Sequence, residues 1–325
     1  MHANLSLSHI QAAAQRIAEH AIKTPLLENE VLNQRTRARV LLKPECLQKT
    51  GSFKFRGAFN KVAQLSAEQL ELGVVACSSG NHAQGLARAA QIVGCPATIV
   101  MPKDAPQIKI DNTKRYGAKI VPYDRYTESR EAIAQDIADE TGALFVPPYD
   151  DFDIMAGQGT VGLEIAETCL ARSCSIDTVL VAASGGGLAA GVSTAIQPLM
   201  PSTNIMTVEP VAYDDHARSF AEGSRVTNPD TDPSICDALL APEPGAHTFE
   251  VNQTTISRGL TVTDEQVKDA IRFAFLELKL VVEPGGAATL AAMLNYEELQ
   301  QQTVAIVLSG GNIDPKLFMN ILGET

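Results

Sequence analysis

Short apolar runs alternate with amphipathic stretches through the middle of the chain, from Gly73 to residue 149. The apolar runs are rich in β-branched residues, which favour strands, and the stretches between them are long enough for helices. This alternation predicts crossover connections and a parallel sheet. The predicted elements, in order, are a strand at 74–76, a helix at 83–92, a strand at 97–101, a helix at 107–116, a strand at 119–123 and a helix at 128–140.

A second series of the same kind runs from Leu144 onward. Thr263 and Gln266 form a capping-box pattern that predicts the start of a late helix. The segment 227–247 is rich in Pro, Asp and Gly and predicts a long loop over the surface. The other predicted elements are helices at 159–169, from Leu188, at 264–278 and at 286–294, and strands at 178–183, 205–208 and 303–308.

The two series predict two α/β domains of unequal size. We expect a smaller domain at 73–149 and a larger one formed by 1–72 with 150–325, each with a mostly parallel twisted sheet flanked by helices. A chain of 325 residues is long enough for two such domains. We expect no further regulatory domain of useful size after Asn312.

Composition narrows the class of ligand. The chain is 45% apolar and 20% charged with a mean hydropathy near zero, so neither a disordered nor a membrane protein is indicated. A net charge of −12 without a long Lys/Arg cluster disfavours nucleic acid and anionic membranes as partners and favours a small molecule. The N-terminus lacks the features of a signal peptide, which predicts a cytoplasmic location. Six cysteines without a C-x-x-C pair argue against a structural zinc site or a disulfide framework.

Lys54 lies between Phe53 and Phe55 at the predicted first turn of a helix. Desolvation by the rings, together with the positive end of the helix dipole, would favour the neutral amine, which can form an imine with an aldehyde. A capped helix start with an amphipathic lysine between core aromatics explains the same residues without any chemistry. These residues alone leave both interpretations open.

A glycine-rich turn, residues 184–188, connects a predicted strand to a predicted helix. Missing side chains there let backbone N–H groups close on a phosphate, and the helix dipole adds attraction. The pattern Gly185-x-Gly187-x-x-Ala190 also satisfies the dinucleotide fingerprint, with Glu209 as the ribose-binding acid. A monophosphate cofactor, a dinucleotide and a simple tight turn therefore stay open at this point.

Two further strand ends carry small polar residues. The segment 77–82, Cys-Ser-Ser-Gly-Asn-His, presents hydroxyl, amide and N–H groups that suit a carboxylate, although Ser and Asn are also common helix caps. The segment 309–312, Ser-Gly-Gly-Asn, ends a buried strand in a hydroxyl and two glycines, and taken alone it indicates only a turn.

Together these segments resemble the pyridoxal-phosphate enzymes of the tryptophan-synthase β fold, in particular the serine/threonine dehydratase and serine racemase family. The motifs follow the family's order along nearly the whole chain, and their co-occurrence makes the dinucleotide interpretation a distant alternative. The matching segments are 52–57 (Ser-Phe-Lys-Phe-Arg-Gly), 79–82 (Ser-Gly-Asn-His), the glycine turn, 156–160 (Ala-Gly-Gln-Gly-Thr), 283–284 (Glu-Pro) and 309–312.

The resemblance implies how pyridoxal 5′-phosphate would be bound. Lys54 would hold the cofactor aldehyde, Phe53 would pack on the pyridine ring and Asn81 would hydrogen-bond the ring hydroxyl. Ser309 would face the pyridine nitrogen, where a neutral hydroxyl favours elimination over transamination. Glu283 is also expected at the cofactor. The residues expected around the phosphate are Gly185, Gly186, Gly187 and Leu188, together with Ser184, which stands where the family usually has another glycine.

The implied reaction removes water and then ammonia from a 3-hydroxy amino acid (serine, threonine or 3-hydroxyaspartate) and gives a 2-oxo acid. The Lys54 amine would remove the α-proton. The serine racemase and 3-hydroxyaspartate dehydratase branch also has a serine at the position of Ser79, which could transfer a proton on the opposite face. Amino-acid racemisation is therefore the nearest alternative.

The substrate is expected to lie near Ser78, Ser79, Asn81 and His82. Arg130 matches an arginine near the substrate pocket of the racemase branch, and a guanidinium there could pair with a second carboxylate, which favours 3-hydroxyaspartate. An exposed arginine between two glutamates at a helix start is the other interpretation of Arg130.

Glu209 and Asp215, with the backbone carbonyl of Tyr213, resemble the racemase-branch site for Mg²⁺ or Ca²⁺. Loop carboxylates that are merely solvated remain the alternative. The family is usually dimeric or tetrameric, which implies a homodimer or homotetramer. Two alternatives come from other classes: a nicotinamide-dependent dehydrogenase that leaves Lys54 idle, and a non-catalytic binding module.

Overall fold

The computed structural model describes residues 5–78, 80–105, 107–124, 126–229 and 233–324. Two sheets, built mainly of parallel strands, are flanked by helices. The α/β class predicted from the alternating pattern is thereby confirmed. None of the helices in these ranges is long and apolar enough to cross a membrane.

The helices and strands have the following bounds. The strands are β1 (Leu27–Glu28), β2 (Arg39–Pro44), β3 (Val74–Cys77), β4 (Ala97–Pro102), β5 (Lys119–Tyr123), β6 (Leu144–Phe145), β7 (Thr178–Ala182), β8 (Asn204–Pro210), β9 (Arg258–Val262) and β10 (Thr303–Leu308). The helices are α1 (Leu7–Ile17), α2 (Glu30–Thr36), α3 (Lys54–Val62), α4 (Ala67–Leu72), α5 (Asn81–Val93), α6 (Gln107–Arg115), α7 (Arg130–Thr141), α8 (Phe152–Ala171), α9 (Gly187–Leu199), α10 (Asp215–Glu222), α11 (Ala246–Thr255), α12 (Asp264–Phe273), α13 (Pro284–Asn295) and α14 (Pro315–Gly323).

The larger sheet has the strand order β1-β2-β10-β7-β8-β9. β1 runs antiparallel to β2, and the other neighbours are parallel, with Ile306 of β10 opposite Leu42 of β2 and Leu180 of β7. The last strand of the chain therefore lies beside one of the first. Because parallel strands end at the same edge, this order gathers the residues after β7, β8 and β10 along one rim of the sheet.

The smaller sheet has the order β5-β4-β3-β6 and is parallel throughout. Its hydrophobic cluster includes Phe55, Phe59 and Val62 of α3 as well as residues of β3 and α5. The start of α3, in contrast, joins the larger sheet, because Ser52 bridges Gly310 and the Phe53 N–H donates to the Ser309 carbonyl at 3.1 Å. Helix α3 thus links the two sheets and places its first residue between them.

Most predicted elements are present, with shifted ends. The capping box of Thr263 and Gln266 is confirmed at α12. That helix ends at Phe273, and a π-helical turn, Ala274–Leu278, takes the place of its predicted last turns. Strand β9 was not predicted from the sequence. The short 3₁₀ turns are Glu45–Leu47, Lys49–Gly51, Val211–Tyr213, Asp237–Leu239 and Glu297–Leu299.

Helix α8 begins seven residues before the predicted start at 159. The Asp151 side chain caps it by accepting from the N–H groups of Asp153 and Ile154. Glycines inside the helix weaken the helical signal of the sequence, yet they are needed for close packing. A Cβ on Gly159, for example, would lie 2.7 Å from the Gly191 carbonyl oxygen of α9.

The segment 227–247 differs from the predicted surface loop. Cys236 and Leu239 are buried in the hydrophobic core of the larger sheet. Part of this segment therefore contributes to the core, although its polar composition favours a surface path. Residues 230–232 lie outside the described part of the chain.

Candidate active site

Lys54 is the first residue of α3, as its sequence context predicted. Its Nζ donates to the Pro148 carbonyl at 2.7 Å and lies 5.1 Å from the centre of the Phe53 ring. The residue as a whole is half-buried, and burial of its amine lowers the pKa of Lys54 to about 8. A substantial fraction of neutral amine is therefore present at mildly alkaline pH.

Phe55 does not wall the amine as the sequence suggested. Its ring is fully buried and stacks on Phe59 with ring centres 5.6 Å apart, inside the hydrophobic cluster of the smaller sheet. Successive residues of a helix point in different directions, so Phe53 and Phe55 cannot both face Lys54. The Pro148 segment supplies the second wall.

Arg56 anchors α3 directly behind Lys54. Its buried guanidinium donates to both oxygens of Glu45, at 2.7 and 2.8 Å, and to Glu164 at 2.7 Å. Lys43 Nζ adds a second cation on Glu164 at 2.5 Å. Burial acts to raise the pKa of Glu45, but the Arg56 charge outweighs it and the pKa is lowered. Glu45 is therefore held charged, and the ion pairs of Arg56 with Glu45 and Glu164 fix the orientation of the helix.

Asn81 connects the smaller sheet to the larger one beside this lysine. It begins α5 and donates from Nδ2 to Glu283 Oε1 at 2.5 Å. Asn312 donates from Nδ2 to Asn81 Oδ1 at 2.7 Å and to the Thr50 carbonyl, four residues before Lys54, at 2.8 Å. Burial, with the charge of Asp237 adding to it, raises the pKa of Glu283 to about 7. Predicted residues from three distant segments thus meet in one cluster.

The glycine turn forms an open helix N-terminus. Gly186 has a φ of +91° and precedes α9, and no side chain caps this helix. Thr248 Oγ1 donates to the Gly185 carbonyl at 2.5 Å, and Asn252 Nδ2 donates to the Gly186 carbonyl at 3.2 Å. Because the carbonyls are held by these partners and the first N–H groups of a helix have no intrahelical acceptor, the turn is a cradle for an anion.

Ser184 precedes this cradle and contacts the 241 segment, and its expected contact with the phosphate stays a prediction. Its Oγ accepts from the Ala241 N–H at 3.1 Å, and its carbonyl is 2.8 Å from His216 Nε2. Burial lowers the pKa of His216 to about 4, so the ring is neutral and donates here. The serine that replaces the usual family glycine is therefore used to hold the 241 segment.

Tyr149 is a site residue that sequence reasoning missed. A Cβ on Gly185 would lie 2.3 Å from atoms of the Tyr149 ring, so the ring covers the glycine turn. Burial raises the pKa of Tyr149, and the phenol stays neutral. The sequence signal was an aromatic residue directly after two prolines, Pro147 and Pro148.

The connection that carries Tyr149, residues 147–151, contacts several parts of the site. Pro148 accepts from Lys54, as described above. Asp150 accepts from the first N–H groups of α11, at 2.9–3.1 Å, and Asp151 caps α8 and pairs with Lys61 at 2.8 Å. One short segment therefore positions the lysine, the glycine turn and two helices.

The residues predicted to bind the substrate, Ser78 and His82, differ in their burial and in their hydrogen-bond partners. Ser78 Oγ accepts from the Gly80 N–H at 3.2 Å. His82 is buried 2.9 Å from the Val146 carbonyl, and burial, with the Lys54 charge adding to it, lowers the pKa of His82 to about 3. The ring is therefore a neutral donor that ties α5 to the end of β6. Ser79 lies outside the described residues.

Arg130 begins α7 and donates from Nε to Glu131 at 2.6 Å, with about half of its side chain exposed. Its charge also acts on the Cys77 thiol at the end of β3 and on the Tyr149 phenol. The guanidinium therefore lies near the carboxyl end of the smaller sheet, although its direct partner is a neighbouring glutamate.

Glu209, near the end of β8, and Asp215, the first residue of α10, are both buried. Both oxygens of Glu209 accept N–H groups of α10, from His216 at 2.8 Å and Ala217 at 2.9 Å. Asp215 Oδ1 accepts from Asn228 at 2.6 Å, while its Oδ2 has no partner among the described residues. Burial raises the pKa of Glu209 well above its usual range, with the Asp215 charge adding to it, and burial raises the pKa of Asp215 to about 7.

Metal ligands are incomplete around this pair. In the described part of the chain, no group of three or more His, Cys, Asp or Glu side chains is placed to hold a metal ion. A cation at Glu209 and Asp215 would need further oxygen ligands, such as the carbonyl of Tyr213 in the adjoining 3₁₀ turn and water. The unpartnered Asp215 oxygen fits such a ligand.

The side chains and spaces of the site fit pyridoxal phosphate. A Cβ on Gly186 would lie 2.7 Å from His216, and a Cβ on Gly187 would lie 2.8 Å from Gln158 Oε1, so only glycine leaves the cradle open. Lys54 supplies an amine and Phe53 an aromatic face. Glu209 is fully buried, and each of its oxygens accepts one N–H group of α10.

Comparisons with known proteins agree with this geometry. The family described as pyridoxal-phosphate dependent enzyme matches residues 17–310. L-threo-3-hydroxyaspartate ammonia-lyase of Pseudomonas sp is 42% identical over 95% of this chain and 96% of its own. Serine racemase of Schizosaccharomyces pombe is 38% identical over 97% of this chain and 96% of its own. The crystal structure of maize serine racemase superposes with a TM-score of 0.92 at 37% identity, covering 97% of this chain and 96% of that one.

Proposed function

Since the chain belongs to the family of pyridoxal-phosphate-dependent enzymes, we propose that it is an ammonia-lyase that removes water and then ammonia from a 3-hydroxy amino acid. The observation that carries this proposal is the enclosed Lys54 amine, whose pKa is lowered to about 8 within reach of the Pro148 carbonyl. Such an amine can both bind an aldehyde and act as a base near neutral pH.

When bound, pyridoxal phosphate supplies an electron sink for the carbanion at the substrate α-carbon. Lys54 would hold its aldehyde carbon, and Phe53 would cover one face of its ring. Asn81 and Glu283 would stand at the ring hydroxyl, and Ser309 at the ring nitrogen. The phosphate would take the N–H groups of Gly185, Gly186, Gly187 and Leu188.

Lys54 would also move the substrate proton. The Pro148 carbonyl orients its Nζ, and the surrounding apolar groups keep part of it neutral, so the amine can accept a proton from the α-carbon. His82 does not compete as a base, because its nitrogen Nε2 is occupied by Val146 and its pKa is lowered to about 3. Arg56 keeps α3, and with it the amine, in one orientation.

The proposed substrate is 3-hydroxyaspartate, with serine and threonine as the alternatives. Arg130 lies near the carboxyl end of the smaller sheet and could exchange Glu131 for a second substrate carboxylate. A relative that is 42% identical is an L-threo-3-hydroxyaspartate ammonia-lyase. Racemisation is the second candidate function, because serine racemases at about 40% identity are equally similar over the chain.

A divalent cation is proposed at Glu209 and Asp215. Two buried carboxylates in electrostatic contact raise each other's free energy unless a cation or protons neutralise them. The free Oδ2 of Asp215 and the carbonyl of Tyr213 would be ligands, and water would complete a shell for Mg²⁺ or Ca²⁺.

A homodimer or homotetramer is proposed from one exposed apolar face. Large apolar side chains are exposed at Val31 of α2, at Leu276 of the π-helical turn and at Met319 of α14. These elements adjoin one another, since Asn29 donates to the Glu277 carbonyl at 3.5 Å and the Phe275 and Phe318 rings are 5.4 Å apart. A contiguous apolar face of this kind fits a subunit interface. A Leu276→Glu variant that elutes as a monomer would support this face, whereas an unchanged oligomer would exclude it.

A product assay on a substrate panel tests the activity. L- and D-serine, L-threonine and the stereoisomers of 3-hydroxyaspartate are incubated with the cofactor-loaded protein, and 2-oxo acid, ammonia and the opposite enantiomer are measured. We expect 2-oxo acid with an equal amount of ammonia. Enantiomer without 2-oxo acid would instead indicate a racemase.

Arg130→Ala tests the substrate assignment in the same assay. Loss of a bidentate ion pair predicts a fall in kcat/KM for 3-hydroxyaspartate that is at least tenfold larger, about 1.4 kcal/mol, than the fall for serine. Arg88→Ala, on the exposed side of α5, is the matched control. Equal losses on both substrates would contradict the role of Arg130.

A further inference from the structure

Two cysteines are brought together where α8 ends. The N–H of Cys174 donates to the Cys169 carbonyl at 2.9 Å, and the N–H of Ser173 donates to the Leu170 carbonyl at 3.1 Å. Ser173 has a φ of +51°. This is the Schellman pattern of helix termination, in which the third residue from the helix end and the second residue beyond it bring their side chains into contact.

In most helices that contact joins two apolar side chains, but here it joins two thiols. Burial, together with the neighbouring Cys174 side chain, raises the pKa of Cys169 to about 11, and Cys174 Sγ donates to the Ser175 carbonyl at 3.4 Å. With standard bond lengths, the 2.9 Å hydrogen bond holds the two Cα atoms within about 6.8 Å. Disulfides join Cα atoms about 4.4–6.8 Å apart.

The two thiols differ in surroundings. Cys169 is fully buried, whereas Cys174 is partly accessible. Arg39 donates from Nη1 to Cys174 Sγ at 3.2 Å, and Glu28 holds the same guanidinium at 3.1 Å. Reactive cysteines are found at partly exposed positions beside such cations. Cys174 is therefore placed to attack and Cys169 to resolve.

We propose that Cys169 and Cys174, with Arg39, form a reversible thiol–disulfide site that reacts with hydroperoxides. The Cys174 sulfur attacks the peroxide, so an S–O bond forms, the O–O bond breaks and water or an alcohol leaves. The Cys169 sulfur then attacks this sulfenic sulfur, so the S–S bond forms, the S–O bond breaks and the Cys169 proton leaves with hydroxide as water. Each cysteine is oxidised by one electron, and the peroxide is reduced by two.

The position of the pair separates it from the catalytic chemistry. The Arg39 N–H donates to Gln302, and that of Asp177 to Thr303, both at 2.9 Å and both where strands of the larger sheet begin. Lys54 and the glycine turn lie at the opposite rim, where strands end. Oxidation of this pair therefore leaves the cofactor site intact.

Digestion of the wild-type protein with trypsin tests for a disulfide between Cys169 and Cys174. Trypsin cuts after Arg130, Arg172 and Arg218, so Cys169 and Cys174 fall into separate peptides, 131–172 and 173–218, each with a single cysteine. The cofactor-loaded protein is treated with one equivalent of hydrogen peroxide, blocked with N-ethylmaleimide and digested without reductant. We expect the two peptides to be joined in most molecules and separated again by dithiothreitol.

Cys46 is the internal control, because it is also partly accessible but has no arginine on its sulfur among the described residues, and burial raises its pKa to about 12. A Cys169→Ser variant should accumulate a dimedone adduct at Cys174, since the resolving thiol is gone, and Arg39→Gln should slow the oxidation severalfold. Unlinked peptides after an exposure that oxidises Cys46, or no adduct in Cys169→Ser, would overturn the proposal.

Discussion

The Asn81 amide donates to the Glu283 carboxylate at 2.5 Å and thereby joins the first turn of α5 to the start of α13. Glu283→Ala leaves this partly buried amide without its acceptor. We expect it to lower the free energy of unfolding by about 1–3 kcal/mol, measured by urea denaturation. Glu283→Gln keeps an acceptor oxygen and should cost less. Equal losses in both variants would show that the hydrogen bond is unimportant.

The same pair of variants tests the ionisation of Glu283. The folded-state pKa is raised to about 7 from a usual value near 4.5, so the folded state binds the additional proton. The stability that this group contributes is present below pH 4.5 and is lost as the pH rises through 7. Glu283→Gln should remove that part of the pH dependence. A wild-type slope retained in Glu283→Gln would contradict the assignment.

Lys54→Ala should abolish covalent attachment of pyridoxal phosphate and lower kcat by at least about a thousandfold, because base and attachment point are lost together. Borohydride reduction followed by peptide mapping measures the attachment. In the wild-type protein the rate of attachment should rise with pH with a midpoint near 8, above which the neutral amine predominates. Lys119→Ala, at the exposed start of β5, is the control. A reducible adduct in Lys54→Ala would sink the assignment.

Gly186→Ala should lower stability and cofactor affinity by more than the backbone strain of alanine at a positive φ explains. A Cβ there would lie 2.7 Å from the His216 ring and 2.8 Å from Asn252 Nδ2, and φ is +91°. Gly94→Ala is the matched control, because Gly94 has a φ of +75° with open space around its Cα. We expect about 1 kcal/mol of destabilisation in the control and more in Gly186→Ala, with weaker cofactor affinity in equilibrium dialysis. Equal effects would remove the steric argument.

Chelation of divalent cations should make the effect of Glu209 and Asp215 on the pH dependence of stability measurable. Burial raises the folded-state pKa of Asp215 to about 7, so the chelated protein should lose stability as the pH rises from 4 to 7. At pH 7.5, Mg²⁺ should raise the melting temperature of the wild-type protein, because it binds only the folded state. Asp215→Asn should remove the Mg²⁺ shift and the part of the pH dependence that Asp215 contributes. A Mg²⁺ shift that persists in Asp215→Asn would place the cation elsewhere.

Arg56→Met should be among the most destabilising single changes in the chain. It leaves the buried Glu45 and the partly exposed Glu164 without their shared guanidinium, which costs about 3–5 kcal/mol. Arg258→Ala removes an exposed pair with Glu298 and should cost less than about 1 kcal/mol. Thermal or urea unfolding compares the two. Similar losses would mean that the buried network does not hold α3.

The parts of the fold that depend on interactions within a few residues could be predicted from the sequence. The strand 303–308, the start of α3 at Lys54 and the Thr263 capping box were predicted correctly because propensities and caps act over a few residues. The domain boundaries at 73 and 149 stay a prediction. The hydrophobic cluster of the smaller sheet includes residues of α3, which lies before residue 73, so limited proteolysis can test where the first boundary falls.

The contacts that depend on tertiary structure could not be read from the sequence. Nothing near Phe55 shows that its ring turns away from Lys54, and nothing near Asn81 names Glu283, 202 positions away, as its partner. Tyr149 was missed because its role comes from Gly185, which lies far along the chain. Ser184 was recognised as unusual, but its partner at residue 241 is set by the path of the partly buried 227–247 segment.

Residues 147–151 serve the lysine, the glycine turn, α8 and α11 at once. Because this connection makes so many contacts, adding or removing a single residue there would displace all of them together. No single compensating substitution could restore them. We therefore expect variants of this protein to stay folded when residues are added or removed at the open Gly94 and Gly223 turns, and to lose stability when the length of this connection is changed.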